Sequence, residues 1–322
     1  MSYEVLAQKW RPQSFSDVVS QTHITVTLRN QVSSGRIGHA YLFWGPRGTG
    51  KTTVARILAK ATNCQQKPED GTSSAEPCNN CQSCNEISSG RSVDVIEMDA
   101  ASNRGIDPIR ELRENARLTP ASSVYKIYII DEAHMLTPEA FNALLKTLEE
   151  PPEYLKFIFA TTEIKKIPIT VISRCQRFDL PRVKSLELFN FIKKITGKEK
   201  GKASDDALKL IVKISEGSVR DALSLLDRAL VSQEQDVELD LKTTQKIFGY
   251  FDKSNLIELF RYVFEGNEKQ TLKIYRSIYD QGVAPKIFLN DFLELLYYFK
   301  NILRSEEHTS ELQSLVNLVC RL

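Results

Sequence analysis

The segment Gly45-Pro46-Arg47-Gly48-Thr49-Gly50-Lys51-Thr52 has the glycine and lysine spacing of a phosphate-binding loop. It follows an apolar run predicted to be a strand, residues 39–44, and precedes a helical pattern that begins at Thr53. In that setting, backbone N–H groups turn toward phosphate oxygens, Lys51 reaches the β- and γ-phosphates, and Thr52 binds Mg²⁺. A glycine-rich turn that matches by chance is the alternative, which the flanking strand and helix disfavour. The loop, together with Thr53, predicts a site for ATP.

Two carboxylates follow another apolar run. Residues 124–130 lead into Asp131 and Glu132, and ligands of parallel sheets bind at the carboxyl ends of the strands. Asp131 is predicted to hold Mg²⁺ through its water shell, and Glu132 to orient and deprotonate the attacking water. Acidic residues favoured at a helix start are the alternative, and both interpretations are compatible with each other.

Strand and helix patterns alternate up to about Pro181. This alternation predicts a mostly parallel α/β sheet with helices on both faces. Three helical patterns follow over residues 185–232, and a further helical region carries two apolar stripes. The predicted strands are residues 39–44, 93–98, 124–130 and 156–160, and the stripes are Leu256, Leu259, Phe260 and Val263, then Phe288, Phe292, Leu295, Leu296 and Phe299.

Composition sets limits on partners and location. The net charge of +2 provides no general attraction to nucleic acid, so DNA contact requires a local or assembled patch. Apolar runs stay short of the ~18 residues that span a bilayer, and residues 1–10 have no signal pattern. We therefore expect a cytoplasmic protein without a membrane partner.

Four of the six cysteines lie close together in the sequence: Cys64, Cys78, Cys81 and Cys84. In a reducing compartment this spacing favours metal over disulfides, and four thiolates suit tetrahedral Zn²⁺. A closed sulfur shell leaves no position for water, so the predicted zinc is structural. Free thiols or a disulfide pair are the alternatives, although the polar filler at residues 65–77 has little reason to order without metal.

Four further segments carry a family resemblance: residues 11–19, 98–105, 141–152 and 173–175, which read RPQSFSDVV, MDAASNRG, FNALLKTLEEPP and SRC. With the motifs above, and in this order and spacing, the chain from residue 1 to about 303 resembles the gamma/tau subunit family of bacterial DNA polymerase III. One departure is Ser20, where relatives usually have Gly.

The resemblance implies an AAA+ ATPase that drives loading of a ring-shaped clamp at primer–template DNA, without polymerase activity of its own. It implies other loader subunits, arranged in a hetero-oligomeric ring, as partners. The expected domains are an ATPase domain at 1–181 with a zinc-binding insertion at 64–84, a three-helix lid at 182–240, and part of an all-α collar at 241–303.

Individual roles also follow from the resemblance. Thr162 is similar to the sensor that contacts water and γ-phosphate, and Arg220 to a second sensor on the lid. Arg174 lies near the end of the predicted sheet domain, away from the phosphate loop in sequence, and is predicted to enter a neighbouring subunit's site. Arg11, Pro12, Val18 and Val19 resemble an adenine-pocket segment. The alternatives are a strand-end threonine, solvated surface arginines, and an entry loop that packs on the sheet.

Two other functions are alternatives to the clamp-loader motor. A branch-migration helicase shares the nucleotide motifs but lacks the four-cysteine insertion and the 141–152 signature. A non-hydrolysing scaffold subunit of the loader has a damaged phosphate loop, whereas Gly50, Lys51 and Thr52 are intact.

The last segment, residues 304–322, is expected to be non-native. Its first part, RSEEHTSELQS at 304–314, resembles a translated sequencing-library adapter and interrupts the apolar stripe that ends near Leu303. A solvated helix end is the alternative. If the segment is non-native, the collar is truncated and oligomerises poorly.

Overall fold

The computed structural model of the chain describes residues 3–66, 75–232, 238–248, 253–280 and 285–304. They fall into two compact units, Met1–Glu238 and Leu239–Leu322, each of which is described by itself. Within the described ranges, no helix combines the length and apolar character that crossing a bilayer requires.

A parallel sheet organises the first unit. Over the described residues it has five strands in the order β2-β3-β4-β1-β5, and each neighbouring pair is parallel. The predicted α/β class is confirmed, and four strands lie within two residues of their predicted bounds at either end. The strands are β1 (Ala40–Trp44), β2 (Val95–Asp99), β3 (Lys126–Asp131), β4 (Leu155–Thr161) and β5 (Gln176–Asp179).

Strand β5 was not predicted, because it lies at the sheet edge. Gln176, Arg177 and Asp179 are exposed there, so its residues lack the apolar run that marks the other strands. Pairing with β1 is what holds it in the sheet.

Helices cover both faces of the sheet. Alternate residues of each central strand point to opposite faces, and both faces are buried, so these strands are nearly continuous in apolar character. Tyr41 and Phe43 pack with α2 (Thr22–Ser33) and α3 (Lys51–Asn63), whereas Leu42 packs in the cluster that contains α5 (Ile106–Asn115) and α6 (Pro138–Glu149). The helices are α1 (Leu6–Lys9), α2 (Thr22–Ser33), α3 (Lys51–Asn63), α4 (Gln82–Ser88), α5 (Ile106–Asn115), α6 (Pro138–Glu149) and α7 (Ile169–Ile172).

Three further helices complete the first unit: α8 (Ser185–Lys198), α9 (Asp205–Ser215) and α10 (Val219–Val231). Ser204 and Ser218 cap α9 and α10, because each hydroxyl accepts a hydrogen bond from a backbone N–H in the first turn. The N-terminal segment packs on this helical layer: the Tyr3 hydroxyl donates to Asp227 at 2.7 Å, and Trp10 Nε1 donates to Glu199 at 2.6 Å.

The second unit is helical in its described part. Its core contains Leu256, Phe260 and Ile278, and the rings of Phe260 and Phe292 stack with centroids 4.3 Å apart. Two predicted core residues are instead exposed: Val263 lies in the last turn of its helix, and Leu296 lies at the margin of its stripe. Of the tail predicted at residues 304–322, residues 305–322 lie outside the described residues. The helices are α11 (Leu241–Phe248), α12 (Lys253–Phe264), α13 (Glu268–Asp280) and α14 (Pro285–Arg304).

Candidate functional site

The glycine-rich loop connects β1 to α3 at the carboxyl edge of the sheet. Gly50 has φ +100° and forms the N-cap of α3, a conformation that favours glycine. Gly48 has φ +77°, and a Cβ there would overlap the hydroxyl of Ser218. The unpaired N–H groups at the start of α3 therefore open onto this loop, which makes it suitable for an anion.

Lys51 is the buried cation of the loop. Its side chain is buried, and Nζ donates to the carbonyl oxygens of Gly45 and Pro46, each at 2.9 Å. Burial lowers the pKa of Lys51 below its ordinary value, while the nearby carboxylates Glu132 and Asp131 oppose that shift. A cation is thus held between the loop and the two acidic residues that end β3.

A hydrogen bond joins the two predicted motifs. Thr52 Oγ1 donates to Asp131 Oδ2 at 2.8 Å, across 79 positions of sequence. Hydroxyl and carboxylate oxygens are the ligands that Mg²⁺ prefers, so this pair fits the predicted magnesium position.

Glu132 follows directly with a strained backbone. Its φ of 47° and ψ of 44° lie in the left-handed region, which costs a non-glycine residue on the order of 1–3 kcal/mol. Its Oε2 accepts a hydrogen bond at 3.3 Å from Thr162 Oγ1, at the end of β4. Because β4 lies between β1 and β3, the strand order brings Thr162 beside both motifs.

His134 is a member of the site to which sequence reasoning gave no role. Its Nδ1 lies 3.1 Å from Thr161 Oγ1 and 3.5 Å from Glu132 Oε2, and its Nε2 lies 3.4 Å from Glu163 Oε1. The side chain is 7% exposed, so the ring is a fixed bridge between the ends of β3 and β4. Its position two residues after Glu132 was the available sequence signal.

The helical layer reaches the loop through the start of α10. Val219 N donates to Gly48 O at 3.1 Å, next to the cap residue Ser218. Arg220 follows in the first turn and is exposed, and its charge contributes to lowering the pKa of Arg11. The predicted second sensor therefore lies near the loop.

Residues 11–19 run between the loop helix and the core of the sheet. Arg11 Nε donates to Thr53 Oγ1 at 3.2 Å. The pKa of Arg11 is lowered, mainly by burial and to a smaller extent by the nearby charge of Arg56. Val18 packs against the core cluster of the sheet, and Pro12 and Val19 are half-buried. Residues 11–19 thus both contact α3 and pack on the core of the sheet.

Arg174 lies just after α7. Its guanidinium binds the carboxylate of Glu149 and the carbonyl oxygen of Thr170 within the same chain. Neither partner belongs to the loop or to the acidic pair, so the structure does not bring Arg174 into this site.

The four clustered cysteines do come together. Their Sγ atoms all lie within 4.8 Å of one another, with Cys78 and Cys84 4.0 Å apart. Tetrahedral bonds of ≈ 2.3 Å place sulfurs about 3.8 Å apart, so the cluster fits a four-sulfur metal site. Burial raises the pKa of Cys81, but backbone hydrogen bonds from Cys84 and Gln65 outweigh it and lower the value to about 6. One thiolate is therefore favoured at neutral pH.

Comparison with solved structures supports the fold class. The chain is similar to the RuvB Holliday junction branch migration motor of Thermotoga maritima, with a TM-score of 0.54 over 85% of this chain and 86% of that one. Sequence identity is 18%, so the likeness concerns the fold alone. Together with the parallel sheet and the helical layer at the loop, it gives the chain the AAA+ ATPase fold.

Sequence comparison defines the family. Family models match residues 20–184 ("DNA polymerase III, delta subunit"), 188–234 ("DNA polymerase III clamp loader subunit, ATPase lid domain") and 239–317 ("DNA polymerase III subunits gamma and tau domain III"). DNA polymerase III subunit gamma of Buchnera aphidicola subsp. Schizaphis graminum is 41% identical over 92% of this chain and 80% of its own length. The chain belongs to the gamma/tau family of DNA polymerase III subunits.

The longer relatives extend well beyond this chain. DNA polymerase III subunit tau of Bacillus subtilis (strain 168) is 45% identical over 94% of this chain but only 52% of its own length. The tau subunit of Escherichia coli (strain K12) is 43% identical over 92% of this chain and 45% of its own length. The chain thus spans about half the length of these relatives.

Proposed function

We propose that this chain is the ATP-hydrolysing motor subunit of a bacterial clamp loader. In this role, ATP binding and hydrolysis drive the loading of a sliding clamp onto primer–template DNA. The observation that carries the proposal is the 2.8 Å hydrogen bond between Thr52 and Asp131, which joins phosphate loop and acidic strand end in one site. Family membership supports the assignment of that chemistry to a loader subunit.

Phosphate binding is assigned to the loop and Lys51. The N–H groups that begin α3 would contact phosphate oxygens, and Lys51 would exchange its two carbonyl partners for the β- and γ-phosphates. Bound Mg²⁺ would neutralise developing charge on the phosphates, held by Thr52 directly and by Asp131 through its water shell.

Hydrolysis is assigned to Glu132, with Thr162 as its partner. The carboxylate would accept a proton from water as the water oxygen bonds to the γ-phosphorus and ADP leaves with the electrons of the broken P–O bond. Thr162 holds Glu132 Oε2 at 3.3 Å and would contact water and γ-phosphate in the bound state. The strained backbone of Glu132 supports this role, because strain of this kind concentrates at functional sites.

Two arginines and the entry segment, residues 11–19, complete the proposal. Arg220, in the first turn of α10, would reach the γ-phosphate from the lid, and residues 11–19 would line the adenine pocket. Arg174 would leave Glu149 and enter the ATP site of a neighbouring subunit.

The cysteine cluster is proposed to hold structural Zn²⁺. Four sulfur ligands would fill the tetrahedral shell and leave no coordination position for water. The metal would fix the insertion between α3 and β2.

ATP hydrolysis in a reconstituted loader complex tests this function. The motor subunit should bind ATP and show turnover that rises when both clamp and primer–template DNA are added. A scaffold subunit would bind no ATP, and a branch-migration motor would hydrolyse ATP without needing the clamp. Either result would overturn the proposal.

A further inference from the structure

The cysteine-cluster insertion, residues 64–84, contacts the entry segment, residues 11–19, as well as α3. Glu76, two residues before Cys78, accepts hydrogen bonds from the backbone N–H groups of Phe15 at 2.7 Å and Ser16 at 3.1 Å. The same carboxylate binds Arg29 of α2 at 2.6 Å. One acidic side chain of the insertion thus fixes the backbone of the entry segment against a helix of the sheet domain.

A buried lysine makes a second connection. Lys60 of α3 is 2% exposed, and its Nζ donates to Gln13 Oε1 at 2.7 Å and to Asn79 Oδ1 at 2.8 Å. Gln13 belongs to the entry segment, whereas Asn79 lies between two of the clustered cysteines. The ammonium therefore links both segments to the helix that begins at the phosphate loop.

The cysteine turn itself determines where Asn79 lies. Asn79 has φ +60°, and the N–H groups of Asn80 and Cys81 donate to Cys78 Sγ at 3.4 and 3.2 Å. A turn that directs backbone N–H groups at a sulfur is stabilised when that sulfur carries negative charge, as it does in a metal site. An ordered cysteine cluster therefore also orders Asn79, whose side chain accepts the hydrogen bond from Lys60.

The entry segment carries these contacts to the nucleotide loop. Residues 11–16 contain Arg11, whose Nε donates to Thr53 at 3.2 Å, and Phe15, which is buried in the core of the sheet beside Ala75 of the insertion. Without Glu76 and Lys60, the backbone N–H groups of Phe15 and Ser16 and the side chain of Gln13 lose these hydrogen-bond partners.

We infer that the cysteine-cluster insertion positions residues 11–16 for binding the adenine base, with Glu76 and Lys60 as the positioning residues. The inference rests on the proposed function, because it assigns the adenine pocket to this segment. A pre-formed pocket binds ATP more tightly than one that must be ordered at each binding event.

Titration of ATP and of inorganic tripolyphosphate into purified protein tests the inference. Glu76→Ala and Lys60→Met should each raise the Kd for ATP about tenfold, as expected if the binding conformation is populated about a tenth of the time. Their Kd for tripolyphosphate, which has no base, should stay within about twofold of the wild-type value, which also shows that the loop is folded. Maximal ATP turnover should be nearly unchanged.

Glu86→Ala is the matched control. Glu86 is a carboxylate that lies just after the insertion in α4, and its side chain accepts a hydrogen bond from Gln82 within its own helix. This variant should bind ATP and tripolyphosphate like the wild type.

Removal of the metal gives an independent readout. Chelation should weaken ATP binding selectively and accelerate hydrogen exchange at the amides of Phe15 and Ser16. Wild-type affinity for ATP in both positioning variants, or equal weakening of ATP and tripolyphosphate, would overturn the inference while leaving the proposed function standing. A wild-type protein that bound no ATP would overturn both.

Discussion

At the scale of single residues, the candidate site depends on a few close polar contacts. Two hydrogen bonds, one between Thr52 and Asp131 and one between Thr162 and Glu132, each join residues that are far apart in sequence. The phosphate-loop and acidic motifs predicted Thr52, Asp131 and Glu132 as site residues, and the family resemblance predicted Thr162. His134 was missed because its partners, Thr161 and Glu163, become neighbours only through the pairing of β3 with β4.

Lys51→Ala should abolish nucleotide binding. The variant removes the buried ammonium between the loop and the acidic pair, and loss of such a charged contact to phosphate weakens affinity at least about 100-fold. Fluorescent ATP titration measures the change. Retained wild-type affinity would exclude Lys51 as a phosphate ligand.

The two nitrogens of His134 can be tested separately. In His134→Asn the side-chain amide replaces Nδ1, which faces Glu132 and Thr161, whereas in His134→Gln the amide replaces Nε2, which faces Glu163. If His134 positions Glu132, the Asn variant should keep most of kcat and the Gln variant should lose about tenfold, with the KM for ATP unchanged in both. Steady-state kinetics measure this split. An equal fall in kcat in both variants, together with a rise in the KM for ATP, would indicate general damage to the fold.

At the scale of secondary-structure elements, burial decided what could be predicted. Strands β1, β3 and β4 are buried on both faces and gave continuous apolar runs, whereas β5 is exposed at the edge and gave none. The three helices α8–α10 were predicted from their apolar spacing. Contacts between distant elements, such as Trp10 with Glu199, depend on the assembled fold and have no local signal.

The metal site should behave as a structural element. Chelation, or Cys84→Ser, should lower the midpoint of thermal unfolding of the first unit by roughly 5–10 °C, because the proposed metal would hold an otherwise polar insertion. Calorimetry with metal analysis measures the effect, and one Zn²⁺ per chain is expected. Cys175→Ser is the control, because this cysteine lies outside the cluster and should not change metal content.

Metal retention should also depend on pH. The thiolate is the ligand, and the pKa of Cys81 is lowered to about 6. Protons therefore compete with the metal for the Cys81 thiolate more strongly as the pH falls through this value, and they compete only weakly above it. Dialysis against a chelator at pH 5 should remove metal faster than at pH 8; the reverse order would argue against thiolate ligation.

At the scale of the whole molecule, the predicted role of Arg174 requires more than one chain. Its guanidinium is paired with Glu149 in the isolated chain, away from the acidic pair. In complexes that mix Arg174→Ala with Lys51→Ala subunits, a Lys51-intact site should lose about 10³-fold in turnover where its neighbour is an Arg174→Ala subunit and keep its turnover where its neighbour is a Lys51→Ala subunit. Loss of turnover at the Arg174→Ala subunits' own sites, even beside a Lys51→Ala neighbour, would assign Arg174 a role confined to its own subunit.

The most direct test of the account compares Glu132→Gln with the wild type in ATP binding and turnover. The amide keeps the shape of the side chain but cannot accept the proton, so the variant should bind ATP with wild-type affinity and hydrolyse it at least about 100-fold more slowly. Single-turnover hydrolysis with clamp and primer–template DNA present measures the rate. Turnover of the Glu132→Gln protein at the wild-type rate would contradict the account.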